Sequence, residues 1–164
     1  RILPIYEGTT AIQANDLVGR KTGRDGGRTA MAIAGQIEQT EAALAKSDSL
    51  PARAVLKRLT AARKAFQDVV GFMATNSKTA PNAAYAGSVP YLMLAGNLVA
   101  GWQLARSLLV AEELGAKGEE QQFMQAKIAT AQFYAEHILA KAPGARDSIV
   151  EGAASVTALA VDAF

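Results

Sequence analysis

The stretch VPYLMLAGNLVAGWQLARSLLVAEEL, Val89 to Leu114, is the most hydrophobic part of the chain and constrains everything around it. It is too long for a strand and shows no sustained alternation, so it reads as a helix. Its length approaches that of a membrane span. However, Asn97, Gln103 and Arg106 interrupt it and its flanks carry no anchor pattern, which favours the central helix of a bundle. Gly96 and Gly101 allow a close helix approach, and Tyr91, Met93 and Trp102 are expected to fill core space, Trp102 beside Leu98 and Leu109.

A buried central helix needs amphipathic partners, and the flanking sequence supplies them. From Thr29 to Lys46, Met31, Ile33, Ala34, Ile37, Ala42 and Leu44 support a helix with Glu38 and Glu41 on its polar side. SDSLP ends it; Ser49 or Asp48 is the expected N-cap of the next helix, and Pro51 suits its first turn. That helix, Pro51 to Thr75, carries a stripe through Leu56, Leu59, Ala62, Phe66, Val69, Val70 and Met73. Arg53, Lys57, Arg58, Arg63 and Lys64 fall on the other side and are expected to be a solvated face, because no aromatics interleave them. NSKTAPNAAYAGS reads as a loop, with a further helix starting between Pro81 and Ser88. After Gly115 to Gly118, a helix is expected over Glu119–Lys141, stopped by Pro143-Gly144. A last one, capped by Asp147 or Ser148, is expected to run to Phe164. The expected fold is all-α: an antiparallel four-helix-type bundle over residues 28–164, preceded by an arm and a short helix over residues 1–27.

With 164 residues, half of them hydrophobic, the chain can bury one full core. Its 17 basic and 15 acidic side chains nearly cancel at +2, which argues against a nucleic-acid partner. The absence of cysteine removes disulfides, thiol catalysis and Cys-based metal sites, and is compatible with the expected cytoplasmic location. His137 is the sole histidine, so a structural or exposed role is expected and no metal site. No signal peptide is visible, and the chain reads as a piece of a longer protein.

The most chemically specific segment is the first, RILPIYEGTTAIQANDLVGRK. An apolar lead-in delivers the carboxylate of Glu7 to the point where a helix of about Thr9 to Gly19 begins, and Thr9 or Thr10 can cap it, leaving first-turn N–H groups free for an anion. A carboxylate between apolar residues can act as a general base through a raised pKa; the plainer reading is an acid that favours the helix dipole. KTGRDGGR then reads as a mobile link. A phosphate-cradling loop with Arg24 and Arg28 beside Gly26-Gly27 is disfavoured because no Lys-Ser/Thr follows in P-loop spacing.

IYEGTTAIQANDLVGRK resembles the C-terminal signature of the flavin-dependent acyl-CoA dehydrogenases, and IQA-x-DLVGRK resembles their larger members, which carry an extra C-terminal helical domain. Residues 28 to 164 resemble that domain by helical pattern and by AGSVPYLMLAGNLVAGWQLARSLLVAEE. The resemblance implies that Glu7 is the base taking the α-proton of an acyl-CoA and that its backbone N–H helps hold the thioester carbonyl. It also implies that Gly8 borders the substrate, that Thr9, Thr10 and Ala11 meet FAD, and that Gln13 is a neighbour of it. Ala14 stands where medium-chain relatives commonly have Arg, which fits the larger subgroup. Further implied partners are the rest of the dehydrogenase chain, a second copy in a homo-oligomer and an electron-transfer acceptor. The competing reading is a helical interaction or oligomerisation module without catalysis of its own.

Overall fold

The structure, a computed structural model, describes residues 9–163. In chain order the α-helices of these residues are α1 Thr9–Asp16, α2 Arg28–Leu44, α3 Leu50–Thr79, α4 Pro81–Ala86, α5 Ser88–Ala116, α6 Gln121–His137 and α7 Ala142–Val150. A π-helical segment, Leu17–Gly23, continues α1, and short 3₁₀ turns follow α6 and α7. There is no strand among the described residues.

Contacts fix the directions of the long helices. Ser49 reaches Glu112 and Phe66 stacks on Tyr91, so α3 runs against α5. Thr40 meets Trp102 and Ser47 meets Glu112, so α2 runs alongside α5 in the same sense. Gly115 faces Met124 and Gly101 faces Leu139, so α6 runs back along α5. α3 and α5, of 30 and 29 residues, form the spine, each about 44 Å long at 1.5 Å per residue. Leu59, Phe66, Val70 and Met73 of α3 meet Tyr91, Leu94, Leu98 and Leu108 of α5 in one core, which Ile37 and Leu44 of α2 and Ala131 and Ala135 of α6 complete. Small residues on α6 let its backbone approach. At Gly101 a Cβ would sit 2.6 Å from Cδ1 of Leu139, so the absent side chain is what admits the leucine.

Helix ends follow the sequence where side chains cap them. Ser49 Oγ accepts the Ala52 N–H at 3.0 Å and Pro51 lies in the first turn of α3. The hydroxyls of Ser47 and Ser49 also donate to the Glu112 carboxylate, tying the α2–α3 turn to the far end of α5.

Several expectations change. The supposed loop NSKTAPNAAYAGS is largely helical: α3 runs on to Thr79, where Thr75, Asn76 and Thr79 return their side-chain donors to carbonyls four residues back, and Pro81 opens α4. Pro143 lies in the first turn of α7, and the last helix stops at Val150 rather than Phe164, because Val156 and Leu159 remain exposed without a core to join. Arg63 and Glu41, both expected on polar faces, are buried together: Nε and Nη2 of Arg63 donate to the Glu41 carboxylate at 2.7 and 3.0 Å, and Nη1 reaches Gln67 at 2.8 Å and Glu38 at 2.6 Å. Hydrogen bonding to Glu41 raises the Arg63 pKa. Met93 is exposed, and Trp102 is half-buried with Arg106 5.7 Å above its ring. Its indole N–H has a partner in Thr40 Oγ1 at 2.7 Å, which draws the ring to the edge of the core.

Candidate functional site

α1 is short, and its hold on the bundle comes from one face. Ala14 and Val18 have no exposed surface, and the helix packs against α5. Thr10, Ala11 and Gln13 are exposed, Thr9 is half-buried, and Ile12 is 71% exposed. At about 100° per residue Thr10, Ala11, Ile12 and Gln13 spread around most of the helix, so the candidate cofactor positions do not share one face; residues 10–13 as a whole stand clear of the bundle. The Thr10 hydroxyl and the Gln13 amide are open to hydrogen bonds from outside the bundle. Glu7 and Gly8 lie outside the described residues.

The segment expected to be a mobile link is folded. The chain passes from α1 into a π-helical turn in which Thr22 is buried and shares a 2.9 Å hydrogen bond with the Tyr91 hydroxyl, also buried. Burial raises the Tyr91 pKa. Asp16 pairs with Arg20 one turn on. The Asp25 carboxylate then accepts the backbone N–H groups of Gly27 and Thr29 at 2.9 and 3.0 Å, capping α2; hydrogen bonds with Thr29 hold its pKa below the ordinary value. Gly27, at φ 81°, turns the chain directly over Val70, whose Cγ1 would lie 2.6 Å from any Cβ there. Gly23 and Gly27 thus admit close neighbours, Ser77 and Val70, while Gly26, at φ 66°, serves the turn itself.

Between the π-helical segment, α2, α3 and α5 lies a cavity of about 450 Å³. Its inner wall is formed by Ile33, Phe66, Tyr91 and Leu98, and its rim by Arg20, Lys21, Arg24 and Arg28, with Asp25 the one carboxylate lining it among the described residues. The sequence offers Arg24 and Arg28 beside Gly26-Gly27 as an anion-facing loop, disfavoured there for want of P-loop spacing; it does not foretell the apolar wall behind them, supplied by α2, α3 and α5.

His137 is exposed and stacks on Phe133 with ring centres 4.5 Å apart. Among the described residues no group of His, Asp and Glu side chains could hold a metal, and no helix is long and apolar enough to cross a membrane.

Residues 33–160 match the family described as "Acetyl-CoA dehydrogenase C-terminal like". The chain is 51% identical over 151 residues to the 3-methylmercaptopropionyl-CoA dehydrogenase of Ruegeria pomeroyi, an alignment covering 92% of this chain and 26% of that protein. It is 36% identical over 156 residues to the broad-specificity linear acyl-CoA dehydrogenase FadE5 of Mycobacterium tuberculosis, covering 91% of this chain and 26% of that protein. The chain thus spans about a quarter of the length of these relatives.

Proposed function

The chain belongs to the acetyl-CoA dehydrogenase C-terminal-like family, and we propose that it is the C-terminal portion of a flavoenzyme that dehydrogenates an acyl-CoA thioester to a trans-2-enoyl-CoA. One observation carries this reading: the YEGTT motif stands immediately before a chain that aligns over nine-tenths of its length with two acyl-CoA dehydrogenases.

Glu7 takes the proton from the substrate α-carbon as the electron pair of that C–H bond moves into the new double bond, and the β-carbon loses its hydrogen as hydride. FAD, when bound, supplies the two-electron acceptor for that hydride. The backbone N–H of Glu7 holds the thioester carbonyl, where negative charge accumulates as the α-proton leaves. Gly8 leaves room for the thioester, while Thr9, Thr10, Ala11 and Gln13 offer hydroxyl, amide and methyl contacts to the flavin. The exposed Ile12 beside them marks where the remainder of the polypeptide packs. The bundle contributes rigidity to α1 and apolar surface for neighbouring domains or a second copy. The partners of the intact enzyme are acyl-CoA, a further copy of itself and an electron-transfer acceptor, in the cytoplasm.

The 164-residue chain alone neither retains FAD nor oxidises acyl-CoA, because holding substrate and acceptor in register can contribute about 7–11 kcal/mol and most of that surface lies elsewhere. Glu7→Gln in the intact enzyme tests the reading. The amide is nearly isosteric but cannot accept the proton, so flavin content should be retained while substrate-dependent bleaching of the flavin, followed by stopped flow, is largely lost. Reduction at near-normal rate would assign the base elsewhere.

A further inference from the structure

We propose that the cavity between the π-helical segment, α2, α3 and α5 binds an amphiphilic anion, an aliphatic chain of medium length bearing one carboxylate. None of Thr9, Thr10, Ala11 and Gln13 lines it, and the inference stands independently of the proposed dehydrogenase reading.

The two ends of the cavity ask for different chemistry. Ile33, Phe66 and Leu98 present only carbon, and the Tyr91 and Thr22 hydroxyls that also line the cavity are already bonded to each other. A polar ligand gains nothing from that wall, whereas an aliphatic chain removes it from water. At the rim, Lys21 and Arg24 are exposed and make no ion pair among the described residues. The carboxylate beside them, on Asp25, is committed to the backbone N–H groups that open α2, and Arg28 bonds the Asp25 carbonyl rather than its side chain. Arg20 pairs with Asp16 and Arg28 lies in the field of Asp25, so among the described residues Lys21 and Arg24 are the cations left without an ion-pair partner at the mouth of a low-dielectric hollow, where the field attracts an anion more strongly than on an open surface. A volume of about 450 Å³ lies in the range of small-molecule sites. Lys21 belongs to the π-helical turn and Arg24 directly follows it, and such turns recur at functional sites.

The test uses the full 164-residue chain titrated with decanoate, decanol, acetate and decanoyl-CoA, followed by calorimetry and by the methyl NMR signals of Ile33 and Leu98. Decanoate should shift those signals and bind about tenfold or more tightly than decanol or acetate, and at least as tightly as decanoyl-CoA. Reversing both free cations, Lys21→Glu with Arg24→Glu, should weaken decanoate about tenfold and leave decanol unchanged. Filling the hollow by Ala95→Phe should abolish both. Should that variant fail to fold, the charge reversal still decides, since both positions are exposed. Equal affinity for decanoate and decanol, indifference to charge reversal, binding that leaves the Ile33 and Leu98 methyl signals unmoved, or binding of decanoyl-CoA with none of decanoate would each overturn the proposal.

Discussion

Replacing Glu41 by Ala should destabilise the bundle far more than its place on a polar sequence face suggests. The Arg63 side chain is 8% exposed and that of Glu41 10%, so removal of the carboxylate strands a guanidinium out of reach of water. Two charge-assisted hydrogen bonds disappear, at Nε and Nη2, each worth about 1.5–3 kcal/mol. Breaking a buried pair from one side costs about 3–5 kcal/mol. Gln67 and Glu38 remain on Nη1, but Glu38 is 55% exposed and recovers no more than the roughly 0–1 kcal/mol of a surface pair. The expected loss is therefore near the lower limit, about 3 kcal/mol, or about 6–12 °C in Tm for a domain of this size. Urea unfolding followed by circular dichroism measures it. Replacing both partners with apolar side chains, Arg63→Met with Glu41→Leu, should return to within about 1 kcal/mol of the parent, because the desolvation cost leaves with the charges. A loss below about 1 kcal/mol for Glu41→Ala would refute the reasoning, showing that water reaches Arg63.

Gly101→Ala should cost about 1–3 kcal/mol through collision with Leu139, and adding Leu139→Ala should cost less than the sum of the two single changes in the same unfolding assay. The Tyr91 phenol should ionise above its ordinary 10.0 in an absorbance titration, because burial disfavours the phenolate. Its neutral form is favoured in the fold, so the stability it adds is complete below 10.0 and is lost as pH rises beyond. Asp25 runs the opposite way. Its lowered pKa gives stability that is present above 3.8 and disappears as pH falls through the folded value, so Asp25→Ala should flatten the acid limb of the stability profile.

What could be read from the sequence was what local rules decide. The apolar run from Val89 to Leu114 proved to be a spine helix because no other element of that length buries so much carbon, and Ser49 with Pro51 marked a helix start through a hydrogen bond made within one turn. Arg63 and Glu41 were misassigned because helical periodicity sorts side chains by type, whereas their burial depends on two helices bringing opposite charges together 22 positions apart. Gly19, Gly23 and Gly27 looked like punctuation. In the fold they accommodate Tyr85, Ser77 and Val70, and only the tertiary neighbours reveal that use. The chemical motif at Glu7 was legible as a pattern of residue types, but the cationic cavity was not, since its wall and rim come from four separate elements.

The π-helical turn between α1 and the bundle sets an angular phase. An α-helix advances about 100° per residue and a π-helix, with its i→i+5 bonds, less, so winding Leu17–Gly23 as ordinary α-helix without removing a residue would rotate everything before it by roughly a further 100°. Ile12 would swing toward a different flank, Ala14 would leave α5, and Thr10 and Gln13 would face a new direction, although no residue of the signature had changed. The extra residue in that turn therefore works as the indexing pin of the first helix: composition upstream decides which groups are offered, and the winding downstream decides where they aim.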